Sequence, residues 1–292
     1  GECFVDCTLG AGAGHSQAIA RALGTQGRLV GIDLDSGAIQ SAREILKSFN
    51  TPVHLKRGNF ADIQTILASV SIHEADGILA DLGFSSDQMD QDSRGFSFAS
   101  EAKLDMRLDP DSQDPSALDL LNTLEESQLA DLFWKYGEER LSRRIARAVV
   151  REREQGRITT CTELASLVEK VYPRGPHRIH PSTRVFMALR IAVNHELENL
   201  ERFLPQALSL LRISGRLGVI TYHSMEAALV KRFFRRFAGQ CICPPGMPVC
   251  GCGAIEQGQI LTGSKAIVPS ASEKDRNPRS RSAQLRVIRK IR

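Results

Sequence analysis

The chain has 292 residues, 42% of them hydrophobic and 25% charged, with a formal net charge of +4. That length suits one large domain or two modest ones, and the composition suits a globular enzyme. No run approaches the roughly 20 consecutive apolar residues that a membrane-crossing helix needs, so the partners to look for are not membranes.

Residues 3–7 form a short apolar strand. The chain enters it directly at Gly1-Glu2-Cys3-Phe4-Val5, so the natural N-terminus, with any targeting segment, is expected upstream. A helix is expected over 15–23 and a buried-type strand over 28–33. The next helix, over 36–49, has Ser36 as its N-cap and Ile39, Ala42, Ile45 and Leu46 on one face. A third strand follows at 53–56, a helix at 63–70 and a fourth strand at 77–81. This alternation implies a parallel sheet covered by helices on both faces. It stops at a Ser-, Asp- and Gly-rich stretch over 82–104. From there the pattern is helical, over 117–124, 127–136, 138–155 and 161–171, with a break between Pro173 and Pro181 and a further helix over 183–204. A strand returns at 215–222, then a helix at 226–238 and a last strand at 284–288. The fold class is α/β: a mostly parallel, Rossmann-like sheet domain (1–104 and 196–292) interrupted by an all-helical insertion (105–195).

Between the first strand and the first helix lies Gly10-Ala11-Gly12-Ala13-Gly14. A strand, a glycine turn and a helix start place backbone N–H groups against a bound ligand. Glycine suits that turn because a Cβ would block close approach and because positive φ is easily adopted. Asp33 ends the next strand, where a carboxylate can accept both hydroxyls of a ribose. The pair fits NAD and S-adenosylmethionine alike. Two details favour S-adenosylmethionine. The turn reads GxGxG rather than GxGxxG, and Asp81 also ends a strand. Ligands of open α/β sheets bind beyond the carboxyl ends of the strands. There Asp6, Asp33 and Asp81 leave little room for a pyrophosphate but suit a sulfonium bearing an amino group.

Ten segments carry a resemblance. DCTLGAGAGHS, GIDLD, GILADLGFSSDQMD, RGFSF, LDMRLDP, YGEER, RIARAVV, HPSTRVFMALRIAVNHEL, GRLGVITYHSME and NPRSRSAQLR together resemble the RsmH (MraW) family. They span nearly the whole chain, in the family's order. The resemblance implies a class I methyltransferase fold and methylation of the exocyclic N4 of a cytosine in the decoding centre of small-subunit ribosomal RNA. It implies cofactor contacts from Gly12, Ala13, Gly14 and His15 in the turn, and from Asp33, Phe60, Asp81 and Gln88. Two features depart from the family. The turn GAGAGH is one residue longer than the usual GxGGH, which leaves open which of Gly12, Ala13 and Gly14 touches the cofactor. The short segment that normally precedes the first strand is also missing.

A cytosine amine is a poor nucleophile because its lone pair is delocalised into the ring. An enzyme must hold it in line with the methyl group and accept hydrogen bonds from its N–H groups as charge develops. Asp81 is the expected acceptor, with Ser85 and Ser86 next; Asp81 could instead hold the cofactor's amino group. His223, in Tyr222-His223-Ser224-Met225-Glu226, could carry the proton or contact the base. Asp105 and Arg107, at the entry to the insertion, are expected in the substrate pocket, or else form a hinge ion pair.

Arg140, Arg144, Arg147 and Arg151 recur at helical spacing and form a basic stripe suited to a phosphate backbone. His177, Arg178, His180 and Arg184 make a second patch, and Arg279, in NPRSRS, marks a third. From Lys274 to Arg292 there are eight Lys or Arg and one acid. A target base in structured RNA must be splayed out to reach the methyl group. Cys241, Cys243, Cys250 and Cys252 lie in a Pro- and Gly-rich loop and could form a zinc site. Cys3, Cys7 and Cys161 read as small core residues, and no paired-cysteine framework spans the chain, which points to a reducing compartment. The expected partner is small-subunit ribosomal RNA or the assembled subunit, with a homodimer left open. The expected location is the cytoplasm of a bacterium or an organelle with bacterial-type ribosomes. The competing readings are a non-catalytic RNA-binding factor on the same fold and a nicotinamide oxidoreductase.

Overall fold

The structure is a computed structural model. It describes all residues except 85–88, 90, 91, 157, 174, 178 and 248, and the backbone alone of Asp92. The chain forms two compact units, Gly1–Gly83 with Leu197–Arg292, and Phe84–Glu196.

The first unit is built on a seven-stranded sheet of β1 (Cys3–Asp6), β2 (Arg28–Asp33), β3 (Val53–Arg57), β4 (Ala75–Asp81), β5 (Leu211–Thr221), β6 (Gly258–Ile260) and β7 (Gln284–Lys290). Their order is β3-β2-β1-β4-β5-β7-β6. The first five in that order run parallel, and β7 and β6 are antiparallel additions. This is the mostly parallel, Rossmann-like sheet expected from the strand–helix alternation.

Alternating side chains feed two layers. Val5, Val30, Ile32, Leu217 and Val219 join Leu200, Phe203, Leu204, Val230 and Phe234 in one core cluster. Those partners belong to α9 (Glu196–Leu210) and α10 (Ser224–Phe237). Leu29 on the opposite face joins Ala20, Ile39, Ala42 and Leu46 of α1 (Gly14–Leu23) and α2 (Ser36–Leu46). Both faces are covered, as parallel strands require. A short α3 (Ile63–Ala68) adds Ile63 and Leu67 to the first cluster.

The second unit holds α4 (Ala117–Thr123), α5 (Glu126–Gly137), α6 (Ser142–Gln155), α7 (Cys161–Val171) and α8 (Thr183–Asn194) around Phe133, Ile145, Leu164 and Leu189. Reciprocal capping pairs start three of these helices, Ser116 with Asp119, Glu125 with Gln128 and Thr160 with Glu163.

Several boundaries differ from the sequence reading. Asp35, not Ser36, caps α2, accepting from the Gly37 and Ala38 amides. The helix expected over 138–155 starts at Ser142, because Glu138 is left-handed (φ 50°) and the buried Glu139 carboxylate accepts from the Leu141 amide. The helix expected over 183–204 is two helices, broken at the left-handed His195 (φ 50°). β6 and α11 (Ala271–Arg276) were not foreseen. Among the described residues no helix is long and apolar enough to cross a membrane.

Candidate active site

Strand register places the acids. Asp6 at the end of β1 lies opposite Gly31 of β2 and Leu79 of β4. Asp33 and Asp81 therefore each stand two residues further along, on either side of the loop that leaves β1. That loop is stitched to both neighbours: the Cys7 amide donates to the Leu79 carbonyl at 2.8 Å and the Leu9 amide to the Ile32 carbonyl at 3.0 Å. The turn that follows uses the left-handed region twice, at Gly10 (φ 62°) and at Ala13 (φ 44°). Gly12 and Gly14 have ordinary φ, so positive φ falls elsewhere than at these two glycines. What they provide is space: a Cβ on either would meet no heavy atom within 4 Å.

Asp33 anchors the turn. Its Oδ2 accepts from the Gly10 amide at 2.8 Å and its Oδ1 from the Asp35 amide at 2.9 Å. Each oxygen keeps a second lone pair for a ligand. Burial pushes the Asp33 carboxyl above its ordinary pKa against the pull of those two amides. Asp6 is fully buried, and burial raises it likewise, although the Ser16 hydroxyl donates to it at 2.7 Å.

Asp81 is the hub of the edge. Its amide donates to Thr8 Oγ1 at 2.7 Å, which fixes the backbone. Its Oδ1 accepts from the Tyr222 hydroxyl at 2.9 Å, and its Oδ2 lies 3.3 Å from His15 Nε2. The Asp81 hydrogen bond raises the His15 pKa, and burial together with Asp81 pushes the Tyr222 phenol up. A carboxylate held by a phenol and an imidazole, and about a quarter exposed, can still accept a hydrogen bond from outside.

Other expected site residues do not join this cluster. Phe60 opens a 3-10 turn after β3, with its ring edge-on to Phe203 at 5.2 Å. His223 is the N-cap of α10, and its buried ring lies 3.2 Å from the Glu226 carboxylate. The same carboxylate accepts from the Tyr222 amide at 3.0 Å. It is Tyr222, not His223, that reaches Asp81. Ser85 and Gln88 lie outside the described residues, as do Ser86 and Arg178.

In the helical unit, Asp105 and Arg107 form a two-pronged ion pair (2.8 and 2.7 Å), and Arg107 Nη1 also donates to the Ser112 carbonyl. Arg144 donates to the Val171 carbonyl at 3.0 Å and Arg184 to the Glu138 carbonyl at 3.4 Å. Arg140 precedes α6 rather than continuing its face, and Arg147 lies 3.5 Å from Glu126. Arg279 is exposed in a 3-10 turn of the sheet unit.

Sequence reasoning assigned no site role to Thr8 or Tyr222, and Gly10 entered only as part of the turn. Tyr222 carried a signal, a phenol directly after a strand that ends beside Asp81. Thr8 carried none, because its partner is fixed only by register.

The four loop cysteines come together. Their sulfurs lie 3.6 Å (Cys241–Cys250), 3.9 Å (Cys243–Cys250), 3.4 Å (Cys250–Cys252) and 4.0 Å (Cys252–Cys241) apart. All four sulfurs are within 4.8 Å of one another. A tetrahedron with Zn–S bonds of about 2.3 Å has S···S edges of about 3.8 Å. Cys3, Cys7 and Cys161 are buried.

The family model described as the MraW methylase family matches residues 1–291. The chain is 50% identical over 291 residues to the ribosomal RNA small subunit methyltransferase H of Dehalococcoides mccartyi strain 195, covering 100% of this chain and 82% of that protein. It is 48% identical over 293 residues to the protein of the same name from Syntrophotalea carbinolica (100% and 92% covered). It is also 48% identical over 291 residues to that from Thermomicrobium roseum (100% and 88%).

Proposed function

The chain belongs to the MraW methylase family, and on that premise we propose that it methylates the N4 amine of a cytosine in the decoding centre of small-subunit ribosomal RNA. It is an S-adenosylmethionine-dependent methyltransferase. The observation that carries the reading is the Asp81 hub, a half-sheltered acceptor oriented by Thr8, Tyr222 and His15 beside an open glycine turn.

The chain's residues suit the cofactor. The space over Gly12 and Gly14, next to the buried Ala13 and to His15, admits a ligand against the backbone. The free lone pairs of Asp33 suit a ribose diol, and the half-buried Phe60 suits an adenine edge. When bound, the cofactor supplies an electrophilic methyl on a sulfonium. Asp81 either accepts an N–H of the target amine or holds the cofactor's amino group. Ser85, Gln88 and His223 complete the proposed set, with Ser85 and His223 on the catalytic side and Gln88 on the cofactor.

On the substrate side we assign Asp105, Arg107, Arg144, Arg184 and Arg279, with the insertion over 105–195 as the RNA-recognition domain. Arg107 is tied to Asp105, so that pair shapes its loop rather than offering a free charge. The relatives are bacterial, which supports ribosomal RNA or the assembled small subunit as substrate and a bacterial cytoplasm as location. The choice between one chain and a homodimer stays open, and light scattering decides it.

The deciding assay is transfer of labelled methyl to small subunits lacking the modification, and to the naked RNA, followed by nucleoside analysis. Label in any product other than N4-methylcytidine overturns the substrate. Cofactor binding without turnover on either substrate favours the non-catalytic RNA-binding factor.

The reading includes zinc at Cys241, Cys243, Cys250 and Cys252, supported by sulfur spacings near those of a tetrahedral four-thiolate site. Anaerobically purified protein should carry one zinc, and Cys250→Ser should lose it. Metal below about a tenth of an equivalent refutes the site.

A further inference from the structure

Among the described residues, one cation on β7 has no counter-ion. Arg286 is 9% exposed, sits opposite Val219 of β5 and shares its face of the sheet with the buried Ile288. Its Nε is buried with no acceptor, and no hydrogen bond or ion pair from the described residues reaches the guanidinium. A guanidinium does not escape the cost of burial by giving up its proton. Burial of an unpaired charge is among the more costly features a fold can carry, and a compensating anion removes most of that cost.

The surroundings of Arg286 suit such an anion. It lies at a cleft lined also by Lys231 and Arg235 of α10 and by Gln240 and Ser264. Lys231 has no partner among the described residues. Arg235 spends its N–H groups on neutral acceptors, Gln240 Oε1 and the Cys241 carbonyl, each at 3.3 Å, so its charge is not cancelled. One carboxylate, Glu256, lines the same cleft, and Arg292 Nη2 lies 3.9 Å from its Oε2. The balance is three cations against one carboxylate that has a cation of its own.

We propose that this cleft binds a phosphate-class oxyanion, with Arg286 as its floor and Lys231 and Arg235 as its rim, and that the oxyanion is a backbone phosphate of the RNA substrate. The last step rests on the RNA reading above. A guanidinium fork matches two phosphate oxygens. The clustering of eight basic residues between Lys274 and Arg292 favours a polyanion over a single peptide carboxylate. The cleft would position the substrate rather than take part in methyl transfer, since its residues are separate from the Asp81 hub.

The test uses the full chain with inorganic phosphate as probe. Thermal unfolding is followed as phosphate replaces chloride at constant ionic strength, for wild type, Arg286→Met and Lys231→Met. The wild type should show a saturable rise in melting temperature. Arg286→Met should fold, be at least as stable without phosphate, and show no rise. Lys231→Met, an exposed change that spares the fold, should weaken the response. RNA binding is then measured across salt. Arg286→Met should reduce the slope of log K against log salt by about 1 and weaken affinity about tenfold at physiological salt. No phosphate-specific rise in the wild type, or an equal rise in Arg286→Met, overturns the site. A rise lost in Arg286→Met with the RNA slope unchanged overturns the RNA assignment. A wild type that binds phosphate here but binds no RNA at all refutes the RNA reading instead.

Discussion

Gly12→Ala separates the two things the glycine turn could be for. Gly12 is exposed, its φ is not left-handed, and a Cβ there meets no heavy atom within 4 Å. The protein alone should therefore tolerate the methyl without strain. Replacing glycine narrows the unfolded ensemble, which stabilises by about 0.4–1 kcal/mol at a compatible position. For a chain of this size that is a melting-temperature rise of about 0.7–1.6 °C. The hydrogen bond from Gln17 Nε2 to the Gly12 carbonyl is untouched. On the ligand side the methyl occupies the space assigned to S-adenosylmethionine. A loss of about 1.4 kcal/mol or more, tenfold in Kd, is expected from calorimetric titration. Opposite signs for stability and affinity are the signature. Gly10→Ala is the control: at φ 62° a Cβ costs about 1–2 kcal/mol, so that variant should melt lower. A Gly12→Ala protein that binds the cofactor within twofold of wild type would show that the open space faces solvent and has no ligand to admit.

Two further outcomes bear on the hub. Tyr222→Phe removes a donor to a carboxylate, a bond worth about 1.5–3 kcal/mol; the exposure of Asp81 favours the low end, and a loss under about 0.5 kcal/mol in urea melts would refute the bond. In the same variant the His15 titration, followed by NMR, should move upward, since Asp81 keeps only the imidazole; a downward move contradicts the pairing. The His15–Asp81 attraction is fully present below the unfolded histidine value of about 6.5 and is lost as pH rises through the raised folded value. Asp6→Asn tests the buried acid. Because burial raises the Asp6 carboxyl, its contribution to stability is complete below the unfolded value of about 3.9 and is lost as pH rises through the folded value. The Ser16 hydroxyl can turn to accept from the new amide. The variant should therefore gain on wild type between acid and neutral pH. A gap that does not change with pH contradicts the burial effect.

Much of this molecule was legible before folding. The alternation of strand and helix up to residue 81 announced a parallel sheet, because strands buried on both faces must be apolar throughout. Asp33 and Asp81 were legible as strand-terminal acids for the same reason. The break read at 137 runs on through Glu138 to Ser142, and the break at His195 was not foreseen. Glu138 and His195 are both non-glycine residues in the left-handed region, imposed by the surrounding packing rather than by local preference. The capping role of His223 was hidden by its suggestive neighbours, although Glu226 three residues on is a capping signal.

The sequence alone determined the fold class, the family and the row of strand-terminal acids, since these depend on residue periodicity and on motifs contiguous in the chain. Tertiary structure decided which residues meet. Only the order β2-β1-β4-β5, with its register, brings Thr8, His15, Asp81 and Tyr222 to one point, across 141 positions of sequence between Asp81 and Tyr222. The same holds for Arg286, which is one basic residue among eight at the end of the chain until β7 pairs with β5 and buries it. Pairing and burial are properties of strand register and layer packing, and neither is encoded at any single position.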